Sequence, residues 1–230
     1  SAAPRSSSSD DAAPASRLLG LQSPPAPLEV IEIFAGREMD LSSHELGMAA
    51  GLLLKGNGNM LERLLGPMTL VVTPVGERLA AIAKRALSKR VVHHYRGFLQ
   101  AMKRESDLEA RDRKRTAKRL LYAYRVAFTG AHLLRERALV TDVRALAPQY
   151  STASNMYAKH VEELVERKRS GEFSTLTEDE ATPYLADIAT LDDVLADALA
   201  RSLLPDEPPG DAVDELDALL VDARMAAANR

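Results

Sequence analysis

Residues 15–34, ASRLLGLQSPPAPLEVIEIF, contain the side chains with the clearest chemical potential in this chain. Ser16 and Arg17 supply a hydroxyl and a guanidinium group, both of which hydrogen-bond well to phosphate oxygens. Glu29 and, a little further along, Asp40 supply carboxylates, the hard oxygen ligands that Mg²⁺ prefers. Hydroxyl, guanidinium and carboxylate groups are the types of side chain that contact phosphates and divalent cations in proteins.

A short strand is the element expected to position these groups. The segment Leu28–Phe34, LEVIEIF, alternates apolar and charged residues in the period of a half-buried strand. The β-branched run Leu70–Thr73, LVVT, is its expected neighbour in a sheet. Between the strand and the first helix, only Gly36–Asp40, GREMD, is expected as a shortened loop, and Ser42 or Ser43 is expected to cap that helix.

The rest of the chain carries the signals of helices. Helical stretches are predicted at about 44–54, 60–65, 76–87, 88–105, 109–137, 154–170, 178–204 and 210–229. The predicted fold class is therefore α+β, with a small α/β part followed by a mostly helical domain. We expect a disordered leader over 1–15, a reduced α/β domain over 16–75 and a helical domain over 76–230.

Composition limits the classes of protein to which the chain can belong. The 230 residues are 46% hydrophobic, enough for a real core, and the absence of cysteine excludes disulfides and thiolate metal sites. No apolar run approaches the roughly 18 residues of a membrane span, so we expect a soluble, cytoplasmic protein without membrane contact. The sequence has no P-loop, dinucleotide-binding or zinc-protease motif.

Charge is divided unevenly along the chain. Between Lys84 and Arg137 there are 16 Lys and Arg against 5 Asp and Glu, whereas Ser170–Arg230 has 3 against 15. One interpretation is that the acidic C-terminal helices pack beside the basic helices and neutralise them. The other is a basic groove for RNA, DNA or nucleotide phosphates, with little base stacking because only 4% of the residues are aromatic. The sequence leaves both interpretations open.

The order of several motifs resembles a known enzyme family. The motifs are HELGMAAGLLLKGNGNMLERLL over 44–65, LSKRVVHHYRGFLQAMKR over 87–104, KRLLYAYRVAFTGAHLLRERALVTDVRAL over 118–146 and RSLLPDEPP over 201–209. In this order they resemble the predicted nucleotidyltransferases of the DNA polymerase β superfamily that are associated with RNA ligases. The resemblance implies transfer of an NMP from an NTP to a nucleic acid or protein acceptor, with Mg²⁺ as the cofactor.

The same resemblance assigns roles to individual residues near the N-terminus. Ser16 and Arg17 stand where the family has a nucleotide-binding Gly-Ser-Arg turn. The two metal-binding aspartates of the family fall on Pro27 and Glu29, and Asp40 is the best remnant of a third carboxylate. The implied catalytic residues and metal ligands are therefore Glu29 and Asp40. A solvent-facing strand residue is the alternative for Glu29, and a helix N-terminal charge is the alternative for Asp40.

The proline at position 27 predicts weakened catalysis. Two-metal nucleotidyl transfer needs carboxylates that hold both ions, and Pro27 offers no side-chain oxygen. A loss of about 3 kcal/mol of transition-state stabilisation lowers the rate roughly a hundredfold. We therefore expect a nucleotidyltransferase-family protein that is catalytically impaired or a pseudoenzyme. The alternative is a non-catalytic module that binds nucleic acid or a protein partner through the basic 84–137 helices.

Further binding residues follow from the later motifs. By resemblance, the predicted nucleotide-binding residues also include Lys55, Asn57 and Asn59, although Gly-Asn loops are commonly only turns. The predicted nucleic-acid-binding residues are Lys89, Arg90, Tyr95, Lys118 and Arg125.

A lesser alternative concerns the helix that contains Arg125. The spacing of Arg125 and His132 loosely resembles the Arg and His motif of the HEPN helical ribonucleases. There the Arg would hold the scissile phosphate and the His would act as a general acid or base. Ordinary helix packing explains the same spacing.

Overall fold

The computed structural model describes residues 28–68, 71–112, 115–152, 156–171 and 175–228. Its elements are β1 (Leu28–Phe34), β2 (Arg37–Ser43), α1 (Leu46–Leu54), α2 (Gly58–Leu65), α3 (Pro74–Arg85), α4 (Val91–Asp112), β3 (Arg115–Thr116), α5 (Ala117–Glu136), α6 (Val143–Tyr150), α7 (Tyr157–Ser170), β4 (Thr175–Leu176), α8 (Glu178–Ala200) and α9 (Gly210–Ala228). The α+β prediction is confirmed, since a small sheet precedes a mostly helical body. The predicted leader over 1–15 lies outside the described residues.

The strands β1 and β2 form an antiparallel hairpin. Ala35 and Gly36 connect them and both have positive φ, 49° and 77°, as a tight two-residue turn requires. The prediction of β1 is confirmed, but the prediction of a loop at Gly36–Asp40 is wrong, because most of that segment belongs to β2. The hairpin is exposed to solvent, with Ile31 at 71% and Ile33 at 78% exposure.

The predicted second strand at 70–73 is a further correction. Residues 71–73 are not in a strand, and residue 70 lies outside the described part of the chain. Thr73 instead caps α3 by accepting a hydrogen bond from the Gly76 N–H at 3.1 Å. Pro74 follows at the start of that helix, where its fixed φ fits and its missing N–H is not needed.

The core is organised around α5, which packs against α4, α6, α7 and α8. Tyr124, Phe128 and Leu133 of α5 are fully buried at 0% exposure. The same hydrophobic cluster includes Leu61 of α2 and Ile82 of α3, so one core contains residues from both sides of position 75. The division into domains at that position stays a prediction.

The short strand β3, which pairs with β4, separates the long helices α4 and α5. Arg115 and Thr116 pair with Leu176 and Thr175, and the Thr116 side chain then caps α5. This pairing places the break between α4 and α5 after residue 112, later than the sequence predicted. The helix α6 was not predicted. None of the helices in the described segments is both long and apolar enough to cross a membrane.

Candidate functional site

Glu29 and Asp40 lie on the same face of the hairpin. In the β1–β2 register, Glu29 is opposite Ser42 and Asp40 is opposite Ile31. Residues directly opposite each other in a sheet point to the same side, so all four share one face. The two carboxylates are diagonal neighbours, a relationship that separates positions by about 7–8 Å. Asp40 is thus a strand residue, and its interpretation as a helix N-terminal charge is wrong.

The number of carboxylates on this face determines which metal centre it fits. Both Glu29 and Asp40 are exposed, and Glu38 is also on this face, opposite Ile33. Among the residues that the structure describes, no group of three or more His, Cys, Asp or Glu side chains is arranged to hold a metal ion. Mg²⁺ is commonly held by one or two carboxylates together with substrate phosphates. The two carboxylates match this number of protein ligands.

A cavity of about 890 Å³ lies beside the end of β2, and we call it the hairpin-side cavity. Its polar lining comes from the strand, from α2, from α5 and from the loop after α5. The residues are Ser42, Asn59, Glu62, Arg63, Arg125 and Thr141. Asn59 and Arg125, which the sequence predicted as separate nucleotide and nucleic-acid contacts, therefore line one cavity. Ser42 connects this cavity to the carboxylate face, because it is the strand partner of Glu29.

Ion pairing controls the charge of the hairpin-side cavity. Arg125 forms a charged hydrogen bond with Glu62, and both side chains are only partly exposed, at 31% and 26%. Arg63 lies 3.3 Å from the ring of His44, measured from Nη1 to Nδ1. The cavity thus contains two guanidinium groups and one carboxylate, which leaves it with net positive charge suited to phosphate oxygens.

Tyr95 is a correction to the predicted nucleic-acid contacts. Its side chain is 2% exposed and lies against α5 at Gly130, where an added Cβ would come within 2.6 Å of the ring. Burial, together with the nearby charge of Glu62, raises the pKa of its hydroxyl. A ring buried in this way packs the core and does not present a surface for nucleic acid.

The predicted loop Lys55–Asn59 divides its residues between different roles. Asn57 caps α2 by accepting a hydrogen bond from the Met60 N–H at 3.0 Å. Gly56 has φ of 69°, and an added Cβ there would lie 2.6 Å from the backbone nitrogen of Val91. Gly56 thus allows the loop to approach the start of α4 closely, whereas Asn57 caps α2, and Lys55 and Asn59 line two different cavities.

Several of the predicted basic contacts are paired with acidic residues of the C-terminal half. Lys89 Nζ lies 2.8 Å from Asp206, and Arg90 Nε lies 2.5 Å from Glu207. Lys118 is exposed near the start of α5. These positions favour the interpretation in which acidic segments neutralise the basic helices.

The same pattern extends to the last two helices. Acidic residues of α8 and α9 pair with basic residues of α3 and α4 in Arg96–Asp192, Arg78–Asp222, Arg85–Asp211 and Arg85–Glu215. Each of these pairs is partly or largely exposed, and such pairs contribute little individually. Their number nevertheless removes much of the positive field that a polyanion groove requires.

Arg125 and His132, the two residues of the HEPN alternative, have different surroundings. Arg125 lines the hairpin-side cavity and is held by Glu62, whereas His132 is not among the residues that line it. The Nδ1 atom of His132 is buried without a hydrogen-bond partner among the residues that the structure describes, and burial lowers the pKa of this ring.

The sequence analysis missed most residues of the hairpin-side cavity. Ser42 was interpreted as a helix cap, and Glu62, Arg63 and Thr141 were not considered. The alternation of Met39 and Leu41 with acidic neighbours is a strand signal that would have placed Ser42 on β2. Glu62 and Arg63 carry no comparable local signal, because only tertiary packing brings α2 beside α5. Ser16, Arg17 and Pro27 lie outside the described residues.

Comparison with known proteins gives the family. The uncharacterized protein MJ0002 of Methanocaldococcus jannaschii is 30% identical to this chain over 114 residues, which is 50% of this chain and 45% of that protein. The chain therefore spans less than half the length of this relative. No solved structure matched the chain. The sequence profile of the RNA repair pathway DNA polymerase beta family matches residues 12–222. The chain belongs to this family, which is consistent with a nucleotidyltransferase of the DNA polymerase β type.

Proposed function

We propose that this protein binds a nucleoside triphosphate and has strongly impaired transfer of the NMP to a nucleic acid or protein acceptor. Family membership supports the reaction class. The observation that carries the impairment is the carboxylate face, where Glu29 and Asp40 share one side of the hairpin and no third ligand completes a group in the described residues. Pro27 adds to this, because a proline occupies the other ligand position that the resemblance implies.

The residues of the proposed site have distinct tasks. Glu29 and Asp40 would hold one Mg²⁺, which when bound neutralises phosphate charge. Arg125 and Arg63 provide guanidinium donors for phosphate oxygens at the wall of the hairpin-side cavity. Asn59 and Ser42 add an amide and a hydroxyl that fix the orientation of a bound nucleotide.

The first experiment measures binding and turnover separately. Calorimetry with ATP, GTP, CTP and UTP in the presence of Mg²⁺ measures binding, and incorporation of labelled nucleotide into RNA or protein measures transfer. We expect binding together with slow or undetectable transfer. The absence of any NTP binding by the wild-type chain would contradict the proposal.

The second experiment tests the carboxylate face with matched variants. Glu29→Gln and Asp40→Asn should abolish any residual transfer, because each removes a metal ligand while preserving the side-chain shape. Glu32→Gln is the control, since Glu32 is opposite Met39 on the other face of the same hairpin. Transfer that is fast and equal in all four proteins would show that this face is not the catalytic centre.

The third experiment attempts to restore the missing ligand. Pro27→Asp combined with Glu29→Asp creates the carboxylate pair that the resemblance implies at these positions. If the impairment comes from these positions, transfer should rise at least tenfold, which corresponds to about 1.4 kcal/mol of transition-state stabilisation. Equal rates before and after restoration, in a variant that still binds NTP, would place the cause of the impairment elsewhere.

A further inference from the structure

A second cavity, of about 790 Å³, lies where α1 ends, α4 begins and α8 ends, and we call it the lysine cavity. Its charged and polar lining consists of Lys55, Lys89, Arg90, His93, Asp206 and Glu207. None of these residues lines the hairpin-side cavity. Its volume is within the range of small-molecule sites, which is about 300–1,000 Å³.

Two of the three Lys and Arg side chains that line the lysine cavity pair with carboxylates. Asp206 Oδ1 lies 2.8 Å from Lys89 Nζ, and Glu207 Oε2 lies 2.5 Å from Arg90 Nε. The Lys89–Asp206 contact is a charge-assisted hydrogen bond and the Arg90–Glu207 contact is an ion pair, so both carboxylates lie where phosphate oxygens would pair with these cations. Lys55 lines the same cavity and has no acidic partner within the described segments. Three cations thus face two carboxylates.

The Asp206 and Glu207 carboxylates are exposed enough for a bound phosphate to displace them from their ion pairs. The Asp206 side chain is 85% exposed and the Glu207 side chain is 64% exposed, so their ion pairs are solvated and screened by salt. Both residues belong to the segment between α8 and α9. By contrast, the Lys89 backbone N–H donates to the Pro205 carbonyl at 2.8 Å, which keeps this segment beside the cavity when the side chains move.

We propose that the lysine cavity binds phosphate groups of a phosphorylated ligand and that Asp206 and Glu207 compete for it as an intramolecular substitute for that ligand. A ligand with several phosphate charges gains from Lys55 as well as from Lys89 and Arg90, whereas the two carboxylates pair with only two of these cations. The phosphates belong either to a free nucleotide or to the 5′ end of an RNA. The site is separate from the proposed nucleotidyl-transfer centre and does not depend on turnover there.

The test compares affinities of the full-length chain for phosphate probes by calorimetry. Tripolyphosphate, ATP and one RNA oligonucleotide with either a 5′-phosphate or a 5′-hydroxyl end serve as probes. Asp206→Asn with Glu207→Gln should tighten tripolyphosphate binding roughly five- to tenfold, because two competing charges are removed. Adding Lys55→Gln to that variant should weaken binding again by a similar factor.

A matched control separates local competition from net charge. Asp211→Asn with Asp222→Asn removes two exposed carboxylates that pair with Arg85 and Arg78 and do not line the lysine cavity. This control should leave the affinity within about twofold of the wild type at physiological salt, because distant exposed charges are screened. An equal gain in both double variants, or no gain in Asp206→Asn with Glu207→Gln, would overturn the proposal.

The two RNA oligonucleotides show whether the bound phosphates belong to an RNA end or to a free nucleotide. Preference for the 5′-phosphorylated oligonucleotide over both its 5′-hydroxyl form and ATP supports a nucleic-acid end as the ligand. Tighter binding of ATP and tripolyphosphate supports a free nucleotide. Arg125→Gln is measured in parallel, because it affects the hairpin-side cavity and leaves the lysine cavity intact. Failure of NTP binding at one cavity is therefore distinguishable from failure at the other.

Discussion

Arg125 on α5 is held by Glu62 on α2, and this ion pair forms part of the wall of the hairpin-side cavity. The pair links a cation suited to phosphate with a carboxylate that opposes phosphate. Glu62→Gln should therefore tighten NTP binding several-fold, whereas Arg125→Gln should weaken it at least tenfold, about 1.4 kcal/mol. Calorimetry with NTP and Mg²⁺ measures both effects. Equal NTP affinities in the wild type and both variants would show that Arg125 does not contact the bound nucleotide.

Gly56 provides a prediction about stability. An added Cβ at this position would lie 2.6 Å from the Val91 backbone nitrogen, and its φ of 69° disfavours any residue with a side chain. Gly56→Ala should therefore lower the free energy of unfolding by about 2 kcal/mol or more. Gly51→Ala is the matched control, because nothing lies within 4 Å of an added Cβ there. In the interior of α1 this control should stabilise the protein by about 0.5–1 kcal/mol. Urea unfolding of the two variants compares them directly.

Asp187 of α8 contacts two other helices, α5 and α7, through one carboxylate oxygen. Its Oδ2 accepts a hydrogen bond from the Tyr124 hydroxyl at 2.8 Å and lies 2.7 Å from His160 Nδ1. Asp187→Asn should cost about 2–3 kcal/mol of folding free energy, since these partly buried groups lose a charged acceptor. Asp192→Asn, which removes an acceptor from the more exposed Arg96, should cost less than about 1 kcal/mol. Similar losses in both variants would contradict a special role for Asp187.

Glu45 should make the folding stability of the protein decrease as the pH falls below the ordinary pKa of a glutamate. Burial opposes its ionisation, but hydrogen bonds from the Gly47 and Met48 backbone and the charge of Arg224 outweigh burial and lower its pKa below the ordinary 4.5. A carboxyl whose pKa is lower in the folded state stabilises the protein above pH 4.5, and this stabilisation is lost as the pH falls through the folded-state pKa.

The test is a comparison of Glu45→Ala with the wild type across pH. Glu45, and not the predicted Ser42 or Ser43, is the N-cap of α1. At pH 7 the variant should therefore be less stable by about 1 kcal/mol, the usual effect of losing a helix cap. This difference should shrink as the pH falls below 4.5. Asp217→Ala, which removes an exposed carboxylate from the same helix as Arg224, is the control. A difference in stability that stays constant from pH 7 to pH 3 would contradict the assignment.

The strand β1 and the helices α7, α8 and α9 were predicted correctly because apolar alternation or periodicity within each segment indicates them. The alternation in LEVIEIF placed β1 over Leu28–Phe34, and apolar periodicity located α7, α8 and α9 to within a few residues at most ends. The strand β2 was missed because Ala35-Gly36 is a weak turn signal, since alanine seldom adopts positive φ. The helix α6 was missed because Pro148 lies inside it.

The candidate site depended on information that the sequence does not contain locally. The family motifs brought attention to Glu29 and Asp40, but only the register of β1 and β2 shows that they share a face. Tyr95 was misassigned because a tyrosine in an amphipathic helix can pack in the core or face solvent. The choice between a basic groove and internal neutralisation needed distances such as that from Lys89 to Asp206, which join residues more than 100 positions apart.

The pairing of a basic middle segment with an acidic C-terminal segment has a consequence for how the chain is made. Ribosomes add about 5–20 residues per second, so the acidic 170–230 segment follows the basic 84–137 segment by seconds to tens of seconds. During that interval the basic segment lacks Asp206, Asp222 and the other carboxylates that pair with it in the folded protein. The basic segment is therefore synthesised before the carboxylates that pair with it in the folded protein, and its charge stays unpaired until the C-terminal part of the chain folds.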